Sequence, residues 1–135
     1  MSGRQYRRLN WGLAIGLLML ITAPGALSVS GDGARLLLPG GRAVPELCLT
    51  KRATGLECGS CHLGRSIVLA AQGEVTRSMA HHTGGIVLVG WSAIHALVRI
   101  GLALAFAGLA RYWWIDLTVT LATLTAATVG VIILG

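Results

Sequence analysis

The chain has 135 residues, of which 54% are hydrophobic and 12% charged, a balance outside ordinary soluble domains and suited to lipid as solvent. Its formal net charge is +6, but the eleven Lys and Arg are scattered and form no aromatic-interleaved basic patch, which argues against nucleic acid as a partner. Nothing in it reads as a phosphate loop, paired carboxylates or a nucleophile with its base, so we expect a non-enzyme whose partners are the lipid bilayer and other subunits of a membrane complex.

Residues 1–30 read as an N-terminal transmembrane anchor. Arg4, Arg7 and Arg8 precede an apolar run from Leu9 to Val29, just long enough for a hydrocarbon core of roughly 30 Å at about 1.5 Å per residue. The positive-inside rule then puts the N-terminus in the cytoplasm and the following loop outside. The same run also fits a cleaved signal peptide, with Arg7 and Arg8 as its basic region and Ala26 and Ser28 near the processing site, although it is long for one.

Residues 31–64 form the external loop, rich in Gly and charge, with Pro39-Gly40-Gly41, Pro45 and all three cysteines, Cys48, Cys58 and Cys61. Over residues 65–83, Ile67, Ala71, Val75 and Met79 recur at every fourth position, the spacing of one short amphipathic helix lying at the membrane surface. Residues 84–135 give a transmembrane hairpin of two apolar runs, Ile86–Ala110 and Leu117–Leu134, joined by the belt Arg111-Tyr112-Trp113-Trp114. The expected architecture is an all-α membrane protein with three transmembrane helices, one amphipathic surface helix and a cysteine-containing loop.

Cys58-Gly-Ser-Cys61-His62 spells the attachment site of a c-type haem, two thioethers holding the porphyrin and His62 ligating iron. The same residues also suit zinc or another thiophilic metal, with Cys48, Cys58 and Cys61 as thiolates and His62, or a later histidine, as the fourth ligand. A third reading is a disulfide between two of the cysteines with one left over. A fourth is that all three are small buried residues of a tight turn.

From Pro45 to Thr83 the sequence resembles an uncharacterised bacterial family of small membrane proteins, domain-of-unknown-function family 2752. Cys48, Thr54, Gly55, Cys58, Cys61, Arg65 and Gly73-Glu74 stand where that family's loop and turn want them. The departures are Gly59 for a proline, His62 for a glycine, and His82-Thr83 around an Asn-Pro position. The resemblance implies a bacterial membrane protein, and with the orientation read from the positive-inside rule the chain is expected to be a multi-pass protein of the inner membrane with its cysteine loop periplasmic. The resemblance itself implies no known activity, and it accounts for the three cysteines without haem, so His62 carries the special evidence for one.

His81 and His82 end the amphipathic segment, and either can serve as a distal haem ligand or a metal's further ligand. Along one continuous helix they would stand about 25–30 Å from His62, so convergence requires the chain to fold back. The plainer role for both is interfacial, against lipid headgroups. In the second apolar run Trp91, His95 and Arg99 lie on one helical face, where a buried guanidinium needs a partner. Counted along continuous helices from the aromatic belt, Arg99 lies about 20 Å deep and Asp116 about 4 Å, so the two are not expected to meet.

Two functions follow as expectations. The first is an accessory subunit carrying a haem c or metal site for electron transfer, on Cys58, Cys61 and His62 with His81 or His82. The second is a structural or interaction subunit whose cysteine loop is closed by zinc or a disulfide, with no redox role.

Overall fold

A computed structural model of the chain describes residues 2–33, 35–45, 53–55, 59–105 and 111–134. It is mostly helical. Helix α1 (Gly3–Gly25) starts at a capping box in which the Ser2 hydroxyl accepts from the Gln5 amide and the Gln5 side chain accepts from the Ser2 amide, so two end donors that a helix leaves unpaired are satisfied. Its face Tyr6, Asn10 and Ala14 is almost wholly buried.

The chain then forms a short hairpin, not an irregular loop: β1 (Ser28–Val29) pairs antiparallel with β2 (Leu36–Leu37). The Ser30 hydroxyl closes its turn by accepting from the Arg35 amide and contacting Asp32, the local side-chain bonding for which Ser and Asp favour turns. Leu37 makes a further bridge to Ala43. The loop expected over 31–64 is shortened at its far end too, because helix α2 (Gly59–Ala71) already includes Cys61 and His62.

The single surface helix expected over 65–83 is two helices. After α2 comes a Schellman closure: Gly73 N–H donates to the Ala70 carbonyl and Glu74 N–H to the Leu69 carbonyl, with Gly73 at φ +80°, where only glycine sits without strain. Helix α3 (Val75–His81) then runs back. The turn interrupts the stripe inferred from the sequence. Val68 and Leu69 go to the core with Arg65 and Ser66, while Val75 and Met79 are exposed.

Among the described residues two helices are long and apolar enough to cross a membrane, α4 (Gly84–Ala105) and α5 (Trp113–Leu134). The third expected crossing does not reach that measure. Although α1 has 23 residues, Arg8 and Asn10 at one end and Pro24-Gly25 at the other shorten its apolar run. Outward-facing Leu20, Leu97, Leu104, Ile132 and Ile133 are largely exposed, as lipid-facing side chains would be.

Helix α4 is the axis of the assembly. Asn10 of α1 meets Arg99 near its end, whereas Gly25 reaches Ala71 of α2 and Ser66 of α2 touches Gly85 at the start of α4, so α1 and α4 run antiparallel. Helix α5 also opposes α4, through Asp116 to Arg99, Thr123 to His95 and Val131 beside Gly84. The α2–α3 pair therefore covers the end of the bundle at which α4 begins.

Small polar residues fasten this headpiece. Ser66 Oγ and Ser78 Oγ lie 2.8 Å apart, both buried, and the Ser78 hydroxyl also reaches the Ser66 carbonyl. The Ser66 hydroxyl also contacts the His82 carbonyl, and the Gln72 amide donates to the Gly25 carbonyl at 3.3 Å. Helix propensity alone would favour Ala at Gly85 by about 1 kcal/mol. A Cβ there would stand 2.6 Å from the Ser66 carbonyl carbon and 2.1 Å from its Oγ, so backbone must move. Gly85→Ala is expected to lower stability by about 1–3 kcal/mol, read as an earlier thermal transition in detergent.

Candidate functional site

The fold-back at Gly73 brings together two histidines that stand nineteen positions apart in the sequence. The His62 and His81 rings have centroids 6.1 Å apart and an interplanar angle of 39°. This is the convergence that one continuous helix would forbid. Cys61, half-buried, precedes His62 in the second position of the motif, and buried Arg65 lies one turn on.

The hairpin supplies a third wall. A Cβ on Gly33, at φ +72°, would lie 3.4 Å from His81 Cε1 and 3.5 Å from Nε2. The backbone at 33 thus approaches the imidazole about as closely as a side chain would permit. The β1–β2 turn, α2 and α3 converge on one imidazole.

His82 takes a different job. Its Nδ1 accepts from the Gly84 amide at 2.9 Å, satisfying a donor at the start of α4, and its carbonyl receives Ser66. Of the two histidines inferred as further ligands, His81 faces His62 and His82 is occupied as a turn and cap. Cys48 and Cys58 lie outside the described residues. Among the described residues no three His, Cys, Asp or Glu gather closely enough to hold a metal ion. Two imidazoles on one tetrahedral ion, each bonded at about 2.0–2.1 Å, have ring centroids about 5.2 Å apart, so the 6.1 Å observed would close by about 1 Å on binding. Together with thiolates from the adjoining motif they would offer a borderline-soft donor set.

A second polar cluster lies between the long helices, and it corrects an expectation. Arg99, 3% exposed, pairs with Asp116, Nη1 to Oδ2, at 2.5 Å. The same Nη1 donates to Asn10 Oδ1 at 2.8 Å, and Nη2 donates to Thr120 Oγ1. Tyr6 Oη donates to Asp116 Oδ2 at 3.2 Å and Asn10 Nδ2 to the Tyr6 carbonyl at 3.0 Å. Depth counted along unbroken helices kept Arg99 and Asp116 apart. The ion pair joins them nonetheless: α5 opposes α4, its first turn lies beside Arg99, and the long arginine arm spans what remains.

Sequence reasoning did not find Tyr6, Asn10, Ser66 and Ser78. Asn10 was the available signal, an amide in an otherwise apolar run. Nothing in the sequence paired Ser66 with Ser78 across the turn.

Residues 48–96 match the model of a family described as a protein of unknown function, DUF2752, in agreement with the resemblance carried by Thr54, Gly55, Cys61, Arg65 and Gly73-Glu74. The match runs from the cysteine segment through the headpiece to the middle of α4. Among curated proteins and among solved structures nothing matches the chain.

Proposed function

We propose that this protein of the DUF2752 family is an accessory subunit of the bacterial inner membrane whose headpiece holds a redox metal centre, covalent haem or a thiolate-bound ion, for electron transfer. Cys58, Cys61 and His62 supply the motif, and His81 is the further ligand. The observation that carries the reading is the approach of His81 to His62, which gives the Cys-x-x-Cys-His stretch a second imidazole from a separate helix.

Orientation supports it. Exposed Arg4, Arg7 and Arg8 open α1 at the end of the bundle where Arg111 precedes α5. Positive charge belongs on the cytoplasmic side, so with α1 as a third crossing the His62–His81 headpiece stands on the periplasmic side. That compartment is oxidising and suits cysteine chemistry.

The test is a visible spectrum and a denaturing-gel haem stain, with metal analysis of the same sample, on protein purified from membranes of a host that matures c-type cytochromes. A Soret band with stain surviving denaturation is the expected sign of haem, and colour with stoichiometric iron or copper but no stain is that of a thiolate-bound centre. Colourless protein with one equivalent of zinc identifies the other reading, a structural site without redox role. Protein with neither metal nor colour overturns both metal readings.

A further inference from the structure

Far from the headpiece, at the middle of α4 and α5, lies a second pair of aromatic rings. Trp91 and His95, one turn apart on α4, stack with centroids 4.3 Å apart and a 33° tilt. His95 Nε2 is 3.1 Å from Thr123 Oγ1. The Thr123 hydroxyl has one proton, and it goes to the Thr120 carbonyl at 3.0 Å. With that proton on the Thr120 carbonyl, Thr123 accepts from the histidine, Nε2 carries the ring proton and Nδ1 presents a bare lone pair.

Two atoms of this pair are fully buried without a hydrogen-bond partner among the described residues, His95 Nδ1 and Trp91 Nε1. One is an acceptor and the other an N–H donor. The nearby guanidinium of Arg99 is taken up by Asn10, Asp116 and Thr120. Within a membrane-spanning bundle an orphaned donor and an orphaned acceptor are each costly, and both are relieved at once by a single group that accepts and donates.

We propose that Trp91 and His95 bind one hydroxyl group in the membrane interior, its oxygen accepting from Trp91 Nε1–H and its proton directed to His95 Nδ1. A carbonyl would satisfy only the indole and an ammonium only the imidazole, whereas a hydroxyl satisfies both. Two sources carry a hydroxyl to this depth: a buried water, which commonly bridges such groups, and the hydroxyl of a membrane-dissolved quinol. The inference rests on the hydrogen-bond inventory of α4 and α5 and stands whether or not the headpiece binds metal.

The experiment is solid-state NMR on the full chain, carrying isotope-labelled histidine, in phosphatidylcholine vesicles with and without decylubiquinol, the His95 resonances assigned by His95→Asn. The expected result is an Nδ1 resonance at its hydrogen-bonded position. Magnetisation transfer from water in quinol-free vesicles identifies water as the source, and a shift seen only with decylubiquinol identifies the quinol. Trp91→Phe keeps the stacked ring and removes the donor, and it should abolish either signature while the Nε2 to Thr123 bond persists. An Nδ1 resonance at the free position in both vesicles, or one unchanged by Trp91→Phe, overturns the proposal.

Discussion

Asp116→Ala should destabilise the helical bundle by about 3–5 kcal/mol, measured as unfolding in mixed detergent micelles. Arg99 is 3% exposed. Its hydrogen bonds tie α4 to both other long helices, to Asn10 of α1 and to Asp116 and Thr120 of α5. Loss of the carboxylate would strand a buried cation, and Tyr6 would lose its acceptor as well. The reverse change is gentler. With Arg99→Ala, Asp116 retains a side-chain exposure of 23% and a place in the first turn of α5, where the helix dipole favours negative charge. The double variant Arg99→Met with Asp116→Leu should recover most of the loss, since a buried ion pair exchanged for apolar residues of similar volume is often neutral. A double-mutant cycle therefore gives a strong coupling and an asymmetry between the two singles. A cost below about 1 kcal/mol for Asp116→Ala would mean that the pair behaves as a solvated surface bridge and does not hold the bundle.

Uninterrupted apolar sequence made the two strongest helices legible. Ile86–Ala110 and Leu117–Leu134 anticipated α4 and α5 to within a few residues at the ends that the described residues include. The depth count nonetheless kept Arg99 apart from Asp116, which the structure joins. Between Ile67 and Met79 the difficulty was of another kind. Their four-residue spacing persists by coincidence across a turn, so the periodic signal for one helix outweighed Gly73, the residue that ends it. The histidines illustrate what local sequence leaves out. His81 and His82 are adjacent and chemically identical, yet a cap at Gly84 uses one while the other turns to His62. Only the path of the chain into α4 decides which does which.

Gly73→Pro should take His81 away from His62 and, on the proposed reading, cost the headpiece its metal. Proline fixes φ near about −65° and has no amide proton, whereas residue 73 sits at φ +80° and donates to the Ala70 carbonyl. A cost of about 3 kcal/mol or more at this one residue lowers the folded-back population by roughly a hundredfold or more. Gly73→Ala meets a milder left-handed penalty of about 1–2 kcal/mol, equivalent to roughly a 5- to 30-fold loss. Cobalt(II) titration of the full chain, followed through its thiolate charge-transfer bands, should rank wild type above Gly73→Ala and both above Gly73→Pro. His81→Ala should fall with Gly73→Pro, because the turn acts by delivering that imidazole. His82→Ala should keep near wild-type affinity and instead weaken the start of α4, where its Nδ1 accepts the Gly84 amide. If Gly73→Pro bound cobalt as wild type does, the centre would be complete on the Cys58–His62 side and His81 would not be a ligand. If all variants bound equally while His62→Ala did not, His62 alone would supply the imidazole. The turn would then serve only to pack Ser78 against Ser66 beneath the membrane helices.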